Sequence, residues 1–147
     1  MVNIKNALLS VTLILALTFS VMAIAETHII KSIGTAFNPI IVFAEPGDTI
    51  TWINMPAHNT KSINSLIPQA AKPWQSQMGQ DFSITLEEEG IYLYECNPHL
   101  SFGMAGAIVV GKPTNLTELD KKVKHTHGAI QRVFRKTKEA IGTTGQQ

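Results

Sequence analysis

The chain has 147 residues, a formal net charge of +1, 44% apolar and 16% charged residues, and one cysteine. That length holds one domain, and the composition is globular, which sets aside disordered and low-complexity classes. A charge near zero removes the electrostatic footprint of a nucleic-acid-binding protein, and a single Cys excludes an internal disulfide.

The charge is segregated along the chain. Residues 26–111 carry three lysines (Lys31, Lys61, Lys72) against eight acids, whereas residues 112–147 carry eight basic residues against three. This basic end is read as a solvated helical face rather than an interaction tail.

Residues 1–25 read as a secretory signal peptide. Lys5 and the amino terminus supply positive charge, Ala7 to Phe19 is a 13-residue, mostly apolar run, and Ala23-Ile24-Ala25 is a small-x-small site before Glu26. That run falls short of the roughly 20 residues that span hydrocarbon, so no membrane anchor is expected after signal cleavage. Export to a bacterial periplasm follows. A lone thiol needs protection in that oxidising space, and ligation would supply it.

Six short strands are predicted next: Thr27 to Ser32, Ile40 to Ala44, Thr49 to Asn54, Phe82 to Leu86, Ile91 to Glu95 and Ala105 to Val110. Phe82-Ser83-Ile84-Thr85-Leu86 alternates cleanly, so one face is buried and one is wet. Pro46-Gly47-Asp48 and Glu89-Gly90 supply turns, and strands at this spacing make a β-sandwich or small barrel. Met55 to Asp81 is a 27-residue stretch without a clear strand, of the kind that is functional or contains a short helix. From Asn115 the period changes: Leu116, Leu119, Val123, Ile130, Val133, Phe134 and Ile141 recur at three and four, with Asn115 and Glu118 spaced as a capping box. Gly128 divides this region into two helices whose apolar stripe lies on the sandwich, and Gly142 to Gln147 should fray.

Cys96 by itself is open to four readings: a buried structural thiol, an intermolecular crosslink, a nucleophile or a metal ligand. Its neighbourhood narrows the choice. Cys96-Asn97-Pro98-His99, with Met104 five residues beyond His99, occupies the turn between two predicted strands, and His58 follows the strand Thr49 to Asn54. Taken singly these are a small buried residue, two loop histidines and a core methionine. Two His, one Cys and a weak Met in this order are the ligand set of a blue-copper site. The soft thiolate binds copper strongly, the imidazoles hold either oxidation state, and the thioether tunes the potential.

The chain resembles the cupredoxins, and among them the pseudoazurins. The likeness runs through Phe37-Asn38-Pro39, Glu45-Pro46-Gly47-Asp48-Thr49, His58-Asn59, Gly90-Ile91-Tyr92-Leu93-Tyr94-Glu95-Cys96-Asn97-Pro98-His99 and Gly103-Met104. It implies an all-β fold, a cupredoxin-like Greek-key β-sandwich over residues 26–111, with two C-terminal α-helices in 112–147 packed on it. It implies one type 1 copper held by His58, Cys96, His99 and Met104. Asn59, Asn97 and Pro98 would surround these ligands. The Asn59 N–H would donate to the Cys96 sulfur and its side chain would tie the two ligand loops, while Pro98, lacking an N–H, withholds a second donor. His99 would be the electron port, within an apolar docking patch of Leu100, Phe102, Gly103, Pro56 and Ile67. Two departures stand out. Only Lys61 and Lys72 are expected near this patch, with Glu95 beside Cys96, which implies a less charge-steered encounter; and Asn97 stands where a Thr is common.

The function implied is a soluble, monomeric, periplasmic electron carrier. It would pass single electrons from a cytochrome or dehydrogenase donor to a reductase acceptor such as a copper nitrite reductase. No enzyme activity is expected, because protein ligands fill the copper. The alternative is a periplasmic copper-binding or delivery protein, but Met55, Met78 and Met104 do not cluster in sequence as an open exchange site would. The electron-entry domain of a multicopper oxidase would carry further His-x-His ligands, and His125-Thr126-His127 lies in the helical tail. His125 and His127 are therefore read as surface residues, and Trp52 and Trp74 as core.

Overall fold

The computed structural model describes residues 24–144. The predicted leader up to Ala23 and the tail from 145 to 147 lie outside the described residues.

Among the described residues eight strands form: β1 Thr27–Ile33, β2 Ala36–Asn38, β3 Ile41–Ala44, β4 Thr49–Ile53, β5 Lys61–Ser62, β6 Phe82–Thr85, β7 Gly90–Glu95 and β8 Ala105–Val110. They build two four-stranded sheets, in the orders β2-β1-β4-β6 and β3-β8-β7-β5. β1 runs parallel to β4 and β3 parallel to β8, while the other pairs are antiparallel. Parallel neighbours cannot be joined by a tight hairpin, so the chain crosses repeatedly between the sheets, giving a Greek-key sandwich. β2 and β5 are absent from the sequence reading, because three and two residues are too few to show a period.

The burial of β7 and β8 explains why they read as nearly continuous apolar runs. Side chains alternate faces along a strand. Tyr92, Tyr94, Ile108 and Val110 enter the core between the sheets, together with Ile30, Ile50 and Trp52. Ile91, Leu93, Ala107 and Val109 face the other way and form a second core with Leu119, Ile130, Val133 and Phe134 of the C-terminal helices. β6, at a sheet edge, keeps the simple alternation, with Phe82 and Ile84 turned toward the first core.

The 27-residue stretch holds β5 and a 3₁₀ turn at Asn64–Leu66. It is pinned to the body by its apolar residues: Trp74 packs on Trp52 at 5.7 Å between ring centroids, and its indole N–H donates to Thr60 Oγ1 at 3.1 Å. Both tryptophans lie in the core, as their bulk predicts.

The helical region comprises α1 Leu116–Lys122, a 3₁₀ turn at Val123–His125 and α2 Gly128–Thr144. Gly128 opens α2 rather than lying within a longer helix, and His127 caps it by accepting from the Ala129 N–H at 3.2 Å. The expected capping box at Asn115 does not form. Asn115 precedes α1 but turns its side chain to β7, accepting from the Ile91 N–H at 2.8 Å and donating to the Ile91 carbonyl at 2.9 Å. A buried pair of backbone groups with no strand beside them outweighs an exposed helix end. Of the segment Gly142 to Gln147 expected to fray, Gly142 to Thr144 instead continue α2, where the Thr143 and Thr144 hydroxyls donate to the Ala140 carbonyl, and 145–147 lie outside the described residues.

Candidate metal centre

One end of the sandwich is built from the close of β4, the close of β7 and the start of β8. After β4 the chain turns at Met55 to His58, with the His58 N–H donating to the Met55 carbonyl at 2.9 Å. Pro56 and Ala57 occupy the middle of that turn, and Ala57 takes φ 61°. This is the pattern of a type II turn, in which proline leads and a left-handed residue follows. An alanine in that conformation costs roughly 1–2 kcal/mol, held here by the turn that aims His58.

β5 pairs with β7, Lys61 opposite Glu95 and Ser62 opposite Tyr94, which draws the His58 loop against Cys96. After Cys96 the chain winds through a 3₁₀ turn, Asn97–Phe102, with Pro98 in its first positions, and ends at Gly103 with φ 97°. Three backbone bonds close the loop: His99 N–H to the Cys96 carbonyl, Met104 N–H to the His99 carbonyl, and Cys96 N–H to the Met104 carbonyl, each 3.1 Å.

The donor atoms meet. Cys96 Sγ lies 3.7 Å from His58 Nδ1 and 3.5 Å from His99 Nδ1, and the two nitrogens are 3.0 Å apart. Three donors bound at about 2.0–2.3 Å to one ion stand apart by about these distances, so a metal fits among them. Cys96 and Met104 are wholly buried, His58 is buried and His99 is half-buried. Met104 joins the sandwich core at the same end of the molecule, its backbone bonded to both Cys96 and His99.

Burial lowers the pKa of His58, and the neighbouring His99 adds to the effect. Burial pushes the Cys96 thiol up, with the Asn59 and His99 N–H groups pulling partly back. A neutral imidazole offers its lone pair to a metal, and a bound thiol gives up its proton. The side chain of buried Asn59 accepts from the Asn97 N–H at 2.8 Å, tying the His58 loop to the Cys96 loop. Because Asn97 uses its backbone, the side chain at that position does not carry the tie.

Around His99, Phe102 is 72% exposed with its ring 6.2 Å from the imidazole. Pro56 is exposed, while Leu100 and Gly103 are half-buried. Ile67 is not part of this surface. It follows the 3₁₀ turn into the sandwich core and is buried there. Lys61 stands opposite Glu95 in the register of the β5–β7 pair.

Two further residues lie nearby, of which Arg132 is not foreseen from the sequence. Met78 is 54% exposed and precedes Gly79, whose N–H donates to the His58 carbonyl at 2.8 Å. Arg132 of α2 donates to the Gly103 carbonyl at 3.0 Å. Neither has a local signal, since each contact joins segments far apart in the chain. His125 and His127 are exposed, and His28 is engaged with Asp48 at the opposite end of β4.

Residues 25–111 match the family of copper-binding proteins of the plastocyanin/azurin type. A pseudoazurin of Paracoccus pantotrophus is 30% identical over 112 residues, covering 74% of this chain and 77% of that protein. The solved structure of a pseudoazurin from Sinorhizobium meliloti superposes with a TM-score of 0.66 at 31% identity, over 74% of this chain and 94% of that one. That of a pseudoazurin from Methylobacterium extorquens also gives 0.66, at 25% identity, over 80% and 98%. A buried thiol meeting two imidazoles at the end of a Greek-key sandwich, within the matched residues 25–111, places the chain in the plastocyanin/azurin family of copper-binding proteins and, within it, among the pseudoazurins.

Proposed function

We propose that His58, Cys96, His99 and Met104 hold one type 1 copper, and that the protein is a soluble, monomeric, one-electron carrier of the periplasm. Its family consists of copper-binding electron-transfer proteins, not enzymes. The observation that carries the ligand assignment is the convergence of one buried thiol and two imidazole nitrogens within 4.8 Å of one another. Copper bound there supplies a Cu(I)/Cu(II) couple that exchanges one electron with a partner. The chain's own residues keep that exchange cheap: the Cys96 N–H donates to the Met104 carbonyl, the Met104 N–H donates to the His99 carbonyl, and Asn59 fixes one ligand loop to the other. A donor set held in one geometry reorganises little between oxidation states.

His99 alone of the three donors is partly open to solvent, so it is the electron port. Phe102, Leu100, Gly103 and Pro56 form its apolar surround, small enough for a short-lived redox encounter. The donor is a cytochrome or dehydrogenase, and the acceptor is a reductase such as a copper nitrite reductase. Residues 1–25 act as the export signal, 26–111 as the copper domain and 112–147 as a helical extension that backs β7 and β8. Among the described residues no helix is long and apolar enough to cross a membrane.

Visible absorption and electron paramagnetic resonance of the Cu(II)-loaded protein test the site. An intense thiolate-to-copper band with narrow hyperfine splitting is expected. A faint, ordinary copper spectrum, with the metal given up readily to a chelator, overturns the carrier and favours copper delivery. Stopped-flow mixing of the reduced protein with copper nitrite reductase tests the partner: oxidation at a rate that saturates with enzyme is expected, and none refutes that acceptor.

A further inference from the structure

We infer that Arg132 is a positioning residue for the metal loop: its guanidinium fixes the Gly103–Met104 peptide and supplies a positive charge that raises the reduction potential of the centre. The inference rests on the ligand assignment proposed above.

Arg132 stands on α2, whose buried residues Ile130, Val133 and Phe134 fix the helix on the outer face of β7 and β8. Its Nη2 donates to the Gly103 carbonyl at 3.0 Å. Three other cations of the helical region are paired with acids: Lys122 with Glu118, Arg135 with Glu139 and Lys138 with Asp120. Arg132 has no such partner among the described residues, so its charge is directed at the loop. Gly103 suits the contact twice over. Its φ of 97° favours glycine, and a Cβ there would lie 2.7 Å from Arg132 Nη2.

The same peptide faces inward on its other side, where the Met104 N–H donates to the His99 carbonyl at 3.1 Å. A charged donor on the Gly103 oxygen polarises that peptide and strengthens the inward bond. One exposed guanidinium thus acts through a single peptide on the backbone of two proposed ligands. Reduction by a donor protein adds one electron to the centre and lowers its charge by one. A nearby cation therefore favours the reduced form, and because Arg132 is exposed the effect weakens as salt shortens the Debye length.

The full mature chain is compared with Arg132→Ala and Arg132→Lys by two measurements. Reduction potential is read on the copper-loaded proteins at low and high ionic strength, and Met104 amide exchange is read on the metal-free proteins. Arg132→Ala should lower the potential, by a gap that narrows with salt, and should speed Met104 exchange about threefold or more, as loss of a polarising donor requires. Arg132→Lys keeps the charge and loses the planar fork, so it should restore most of the potential and leave exchange fast. Unchanged potential and exchange in Arg132→Ala overturn the inference. A potential drop that ignores salt and is not restored by Lys overturns the charge role, and unchanged exchange overturns the positioning role. A wild-type protein lacking the intense thiolate-to-copper band would instead overturn the ligand assignment, while the metal-free exchange still decides whether Arg132 positions the loop.

Discussion

Cys96 is the residue on which the centre turns, because its sulfur is the one soft anionic donor in the chain and it has no contact with solvent. Cys96→Ala should abolish the intense visible copper band and leave the sandwich folded, since a small apolar side chain fills most of the same space. Far-ultraviolet circular dichroism beside the visible spectrum checks both, and a strong surviving band would refute the assignment. Asn59 acts one step back. Its bond to the N–H of Asn97, 38 residues further along, holds the two ligand loops together, so Asn59→Ala should cost about 1 kcal/mol and speed copper loss to a chelator several-fold. Asn97 needs only its backbone for this, so Asn97→Thr should leave the rate of copper loss near that of the native chain.

At the scale of elements, β7 and β8 bear on the centre through both of their faces. One face presents Tyr94 and then Cys96 to the sandwich core, and the other is covered by α1 and α2. The helices therefore back the two strands that carry the ligand loop. Phe134→Ala, on the buried stripe of α2, should destabilise by about 3–5 kcal/mol in urea unfolding. Asn115→Ala removes both bonds to Ile91 and leaves a buried N–H and C=O without partners, at a cost of about 2–4 kcal/mol. Were Asn115 a helix cap, the loss would be nearer 1 kcal/mol, so the size of the effect distinguishes the two roles.

Across the whole molecule the two ends of the sandwich do different work. The ligand end follows β4, whereas the far end precedes it at Asp48. There a buried carboxylate accepts from the Glu26 N–H at 2.7 Å, from the Glu45 N–H at 2.8 Å and from His28 at 2.8 Å, fastening the start of β1 to the turn before β4. The two backbone N–H groups and then His28 hold its pKa at about 2, below the ordinary 3.8. A carboxyl depressed by folding stabilises the folded state above its ordinary pKa and loses that contribution as pH falls toward its folded value. The stabilisation is thus complete above about pH 4 and fades toward pH 2. Asp48→Ala should lower Tm at neutral pH, with the gap to the native chain closing between those values. A gap that stays constant across that range would show that the carboxylate's charge is not what stabilises this end. The copper spectrum, set at the other end, should be unchanged by this substitution.

Sequence alone determined what is local. Cys96, His99 and Met104 fall within nine residues, and their spacing between two apolar runs places them on one turn whatever the rest of the chain does. The same holds for the change from period two to period three and four at Asn115, which marked the helices. Tertiary structure decided what depends on pairing between distant segments. The register of Lys61 with Glu95 brings His58 to the thiol, yet β5 is two residues long and leaves no periodic trace. Burial of Ile67, the turn of Asn115 toward Ile91 and the reach of Arg132 to Gly103 were likewise settled by packing. A side chain's partner is chosen by whichever unsatisfied group or cavity the fold brings near it, and only the folded chain specifies that neighbour.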